Sequence, residues 1–166
     1  MTQHLRTALL LALLPCAGGA EPLPALNLAP EATPVSGLSS GAFLAVQLQV
    51  AFSKSLAGAG VIAGGPFGCA DGNVYRAVRV CMNGYLGTAD AESALDEIRD
   101  LAAQGGIDDV SHLLADRVYL FHGQADDTVT RASMDALRQS YALLGVPDTQ
   151  VTYTTRITAG HGFVTE

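Results

Sequence analysis

The chain contains no tryptophan, and aromatic residues make up only 6% of its 166 positions. It therefore offers no obvious platform for stacking bases or sugar rings. Basic residues are scarce too: nine Lys and Arg stand against 16 Asp and Glu, a formal net charge of -7. Phosphate backbones are held by clustered Lys and Arg, so this balance argues against a nucleic-acid partner and fits an uncharged substrate better. Charged residues reach just 15% while hydrophobic ones reach 49%, the balance of a globular chain with room for one domain. Repeats and low-complexity tracts are absent. Cysteine is rare, with three residues and no CxxC spacing. No metal or organic cofactor is expected.

The first apolar run is short. Residues 1–20 read as a signal peptide: Arg6, then "TALLLALLPCA", then the small residues "GGA" before Glu21. The run cannot span a bilayer as a stable helix, and nothing later in the sequence is a candidate span. Pro15 argues against a lipoprotein role for Cys16, because a small residue is expected before a lipidated cysteine. The expectation is cleavage near Ala20, export to the periplasm or beyond the cell, and no membrane association afterwards. Export would leave Cys69 and Cys81, an even pair in an oxidising compartment, which predicts a disulfide.

Residues 21–34, rich in Pro, read as an irregular lead-in, and residues 35–166 as one partial domain. A short strand is expected to end near Val35 and Ser36, followed by a helix from Ala42 to Phe52. The run Gly58–Gly65 reads as a buried strand, and Pro66 to Gly87 as loops. A helix follows, capped by Thr88 or Asp90 and ended by Gly105. Next come a strand from Arg117 to His122, a helix ended by Gly145, and a strand from Thr149 to Ile157. This alternation predicts an α/β fold: a parallel sheet covered by helices on both faces, with ligands beyond the carboxyl ends of the strands.

Three polar motifs fall at those ends. Gly37-Leu38-Ser39-Ser40-Gly41 is a G-x-S-x-G pattern between strand and helix, the setting of a nucleophile elbow. "HGQADDTV" places Asp126 in the loop after the third strand, and "TAGHGF" places His161 after the fourth. Ser, Asp and His in that chain order is the order of an α/β-hydrolase triad. A serine hydroxyl needs a base, and His161 can serve; Asp126 can fix its tautomer and stabilise the imidazolium. Ser36 and Ser40 flank the elbow off centre. Asp127 is the competing acid; the spacing Gly123-x-x-Asp126-x-x-Val129 resembles the usual acid loop of α/β-hydrolases, which favours Asp126. His122 ends a strand, His112 precedes it, and His4 lies in the leader.

The stretches "VSGLSSGAFLAVQLQVAFSKSLAGAGVIAGGPFGCA", "CMNGYLG", "FHGQADDTV" and "AGHGF" together resemble the secreted poly(3-hydroxybutyrate) depolymerases with a single catalytic domain. The resemblance runs from Val35 to Val164. It implies a Ser39, Asp126 and His161 triad, with the Ser40 backbone N–H as one oxyanion donor. The implied partner is an insoluble aliphatic polyester or its oligomers. It further implies a circularly permuted α/β-hydrolase, with the elbow near the amino terminus. Few residues precede Gly37 and five follow His161, so half the sheet and the second oxyanion donor are expected to be missing at the carboxy terminus. The competing readings are a secreted esterase for smaller esters, of feruloyl or acetyl-xylan type, and a non-catalytic remnant.

Overall fold

In the computed structural model, residues 24, 29 and 33–164 are described. The expected leader and most of the lead-in lie outside them. Four strands, β1 (Val35–Leu38), β2 (Gly58–Ile62), β3 (Arg117–Phe121) and β4 (Val151–Thr154), form one sheet in chain order. Every neighbouring pair is parallel. The principal helices are α1 (Ser40–Ala51), α3 (Ala91–Ala103) and α4 (Arg131–Leu143); a short α2 (Val74–Arg76) lies between β2 and α3.

Register explains which face packs. Val35, Ala59, Val118 and Val151 sit side by side, and two residues on Gly37, Val61, Leu120 and Tyr153 do the same. Successive strand residues point to opposite faces, so these rows share one side of the sheet. The strand residues of that side pack with Ala42, Val46 and Val50 of α1, Ile98 of α3, and Met134, Leu137 and Tyr141 of α4 in one core. The row between them, Ser36, Gly60, Tyr119 and Thr152, faces the other way; its Ser36, Tyr119 and Thr152 are exposed. Helices on both faces were expected from the strand–helix alternation. Among the described residues they cover one face only. The alternation of small, aromatic and polar residues on the second face is what distinguishes a one-sided sheet from a two-sided one.

A buried polar chain ties the helical layer to the sheet. Gln49 of α1 accepts a bond from the Tyr141 hydroxyl of α4 at 2.6 Å and donates one to Asp116 at 2.8 Å, just before β3. Burial is the main influence on the Asp116 carboxyl and pushes its pKa up, against the Gln49 bond and nearby His112. Each polar group here has a partner, which removes the cost of burying it bare.

Helix limits follow the sequence closely. Asp90 caps α3 by accepting from the Ser93 N–H at 2.8 Å, and Gly145 closes α4 with φ 85°. The expected loop from Pro66 to Gly87 is a different case. Asn73 caps α2, and the chain continues as a π-helical turn, Ala77–Met82. Its Val74, Tyr75 and Val78 are exposed, so no core-facing period marks this helix in the sequence. Cys69 and Cys81 are joined as expected, with Cα atoms 5.9 Å apart.

Candidate active site

The elbow begins with a strained residue. Ser39 has φ 57° and ψ -123°, a region that L-residues rarely occupy and that costs about 1–3 kcal/mol. Two backbone bonds hold it there. Its N–H donates to the Ile62 carbonyl at 2.9 Å, extending the β1–β2 ladder, and its carbonyl accepts the first α1 bond from Phe43 at 3.0 Å. The hydroxyl caps nothing, although Ser39 stands at the N-cap of α1. A serine there normally satisfies a helix N–H, so this side chain is left available for other work.

The two glycines of the motif differ. A Cβ on Gly37 would collide with the Gly41 carbonyl group and approach the Ala42 nitrogen to 2.7 Å. Strand and helix thus meet too closely for any other residue at 37. A Cβ on Gly41 would meet nothing within 4 Å. Of the two, only Gly37 relieves a backbone clash. Ser40, the first residue of α1, carries a backbone N–H of the kind that has no intrahelical partner.

The candidate acid and base, Asp126 and His161, arrive from the far side of the sheet. His161 Nδ1 lies 2.9 and 3.1 Å from the two Asp126 carboxylate oxygens. The side chains are 21% and 1% exposed, so the acid is shielded while the base reaches solvent. Asp126 also accepts from the Thr128 and Val129 N–H groups at 2.9 and 3.1 Å. Burial works to raise its pKa, but the His161 bond and those two amides outweigh it, holding the carboxyl below its usual range. An ionised carboxylate only accepts, so Nδ1 is the nitrogen that donates, and in a neutral imidazole this leaves Nε2 as the acceptor. Asp127 is exposed and makes no such bond.

Backbone bonds bring His161 over the end of β3. The Gln124 N–H donates to Ile157 and the Ala125 N–H to Ala159, at 2.9 and 3.0 Å. A Cβ on Gly123 would strike the Ala159 carbonyl, so glycine is required where the loops cross. His122 is structural: its Nε2 bonds the Val129 carbonyl at 2.8 Å, bracing the acid loop. His112 is exposed on the short helix before β3. Ser39, Asp126 and His161 thus follow the carboxyl ends of β1, β3 and β4. The structure joins the last two directly; no hydrogen bond links Ser39 to the imidazole.

Ser39 opens onto a groove of about 670 Å³. Ser40, Phe43 and Leu44 form one wall, and the disulfide loop, with Ala70, Ala77 and Met82, forms the other. Glu97 of α3 closes the groove, a residue with no motif around it in the sequence. It reaches the site through contact with Gly68, 29 positions away, which local pattern cannot reveal. Among the described residues no group of three or more His, Cys, Asp or Glu side chains could hold a metal ion. Nor, among them, is any helix long and apolar enough to cross a membrane.

A strained serine between a parallel strand and a helix, with an Asp–His pair in the loops after later strands of the same sheet, is the arrangement of the α/β-hydrolase fold. Comparison with known proteins narrows this, although no protein-family model matches the chain. It is 46% identical over 145 residues, 87% of its length, to a poly(3-hydroxybutyrate) depolymerase of Delftia acidovorans. It is 36% identical over 172 aligned positions to a polyhydroxybutyrate depolymerase of Talaromyces funiculosus. A solved PHB depolymerase complexed with an R3HB trimer superposes over 85% of the chain, with a TM-score of 0.71 and 34% identity. The chain is a homologue of the poly(3-hydroxybutyrate) depolymerases. It spans 29% and 47% of the two relatives' own lengths and 42% of the solved structure.

Proposed function

We propose that the protein is an exported serine esterase that cleaves the ester bonds of poly(3-hydroxybutyrate) or a related short-chain polyester. Ser39 attacks the ester carbonyl while His161 Nε2 takes its proton. Asp126 holds the imidazole by Nδ1 and offsets its positive charge. The Ser40 N–H, at the amino end of α1, donates to the oxyanion. The imidazolium then protonates the departing alkoxide, and water, deprotonated by the same histidine, releases the acid from Ser39. His161 has to come within hydrogen-bond reach of Ser39 as substrate binds, as catalytic contacts often do.

The observation that carries this reading is the backbone of Ser39. Strain with a free hydroxyl, beside helix N–H groups and above an apolar groove, has no structural benefit of its own. The homologous proteins supply the substrate class: a solved relative holds an R3HB trimer. The disulfide supports export to an oxidising compartment. A permuted strand order, with the elbow strand first, belongs to the same reading.

The test is labelling with a fluorophosphonate, followed by assay on polymer films and on p-nitrophenyl butyrate. Labelling at Ser39 and release of 3-hydroxybutyrate support the proposal. Turnover of the small ester without polymer release would favour an esterase of smaller substrates. Absence of both labelling and turnover would favour a non-catalytic role.

A further inference from the structure

The groove in front of Ser39 has a one-signed lining. Apolar groups and the disulfide supply most of its walls, and Asp71 and Glu97 are its ionisable groups; no Lys, Arg or His lines it. Glu97 is half-buried, with its carboxylate packed on the backbone of Gly68. Burial raises its pKa, the neighbouring Asp71 charge adds to that, and Arg76 opposes both. The Arg76 Nε donates to the carbonyl of Cys69, a residue of the lining, at 2.7 Å, so one cation stands beside the groove without lining it. With two carboxylates in the lining and one cation beside it, the groove suits a neutral chain better than an anionic one.

Ester hydrolysis changes the charge of what occupies it. The reaction is R–CO–OR′ + H₂O → R–COO⁻ + R′–OH + H⁺ near neutral pH, so a neutral substrate yields an anionic product. We propose that Asp71 and Glu97 act as a charge filter, admitting uncharged ester segments and repelling carboxylates. Two consequences follow from that one property. Free carboxyl ends of oligomers are disfavoured, which spares the bonds beside them, and the newly formed acid is expelled after each turnover. Charge at half-buried Glu97 is screened less than on an open surface, so it carries most of the preference, and exposed Asp71 adds a smaller share. The proposal rests on the esterase reading of Ser39, and its test is chosen to stand apart from turnover.

The measurement is calorimetric binding of two probes to the full chain carrying Ser39→Ala, at low ionic strength and pH 7. The probes are a 3-hydroxybutyrate trimer as its methyl ester and the same trimer as its free carboxylate. The methyl ester is expected to bind about tenfold more tightly. Glu97→Gln, which keeps the packing on Gly68, should cut that preference to a few-fold by tightening the carboxylate alone. Asp71→Asn, at an exposed position, should do the same to a smaller degree. The pair together should remove the preference, and 0.5 M salt should weaken it in the parent. Equal binding of both probes by the parent would overturn the proposal. So would an undiminished preference in the double variant, or no binding of the neutral ester. Failure of fluorophosphonate to label Ser39 is a separate result, rejecting the hydrolase reading and not the filter.

Discussion

The two arms of the candidate site are held by opposite means. The acid–base arm is held by side-chain bonding: Asp126 is 1% exposed and bonded to an imidazole and two amides. The nucleophile arm has no side-chain bond at all. Ser39 is fixed by its own backbone, by the Ile62 carbonyl and by the bare approach of Gly37 to α1. The difference matches the tasks proposed for them. A base must keep one tautomer and one orientation, which a partnered carboxylate provides. A nucleophile must keep its oxygen free, so its placement has to come from the main chain.

Removing the nucleophile should have the largest effect. Ser39→Ala should lower ester hydrolysis by about 10⁶-fold, measured with p-nitrophenyl butyrate, with the urea midpoint unchanged. The hydroxyl makes no hydrogen bond to a neighbour, so its loss removes no stabilising contact. A large fall in stability would show that the serine arm is bonded after all.

On the other arm, Asp126→Asn should reduce kcat by about 10⁴-fold, because an amide can present the wrong group to Nδ1. Asp127→Asn, at the exposed neighbouring position, should leave kcat within about twofold of the parent. Reversed effects would transfer the acid role to Asp127.

The backbone claim is sharpened by the two elbow glycines. Gly37→Ala should destabilise by more than about 3 kcal/mol, since strand and helix must separate to admit a methyl group. Gly41→Ala fills open space within α1 and should stabilise slightly, by about 0.5–1 kcal/mol. Urea midpoints of the two variants decide this. Equal effects would mean that the motif is symmetrical, as its sequence suggests.

That asymmetry shows how far the sequence could be read. G-x-S-x-G marks the elbow because a turn this tight restricts residue choice locally. Gly41 looks equivalent to Gly37 in the string and is not, because steric need depends on what lies across the gap. The strand and helix order was legible from short apolar runs between caps such as Asp90 and terminators such as Gly145. The uncovered sheet face was not, since Ser36 and Thr152 declare it only once register aligns them with Tyr119. Asp126 and His161 were legible as residues after strands. Their junction was not: it depends on Gly123 passing under Ala159, a contact 36 positions apart in the chain. Glu97 carried no signal for the same reason.

The smallest expected effect lies in the pH dependence of stability, where the carboxylates of the molecule pull in opposite directions. Asp126 has a depressed pKa in the folded state. Its contribution is therefore full above the unfolded value, near about 3.9, and is lost as pH falls through the folded value. Asp116 is raised by burial. Its folded form prefers the proton, so it penalises folding above its folded pKa and is relieved as pH drops through that value. The parent should thus gain a little stability on mild acidification and lose it below about pH 4. Urea midpoints between pH 7 and 3 should show the mild-acid gain flattened in Asp116→Asn, where no proton can be taken up. The steep loss below about pH 4 should be shallower in Asp126→Asn, because the most shielded of the depressed carboxylates is gone. An acid limb of the same slope in Asp126→Asn would mean that the bonded arm contributes nothing to folding. The contrast between the arms would then be one of position alone.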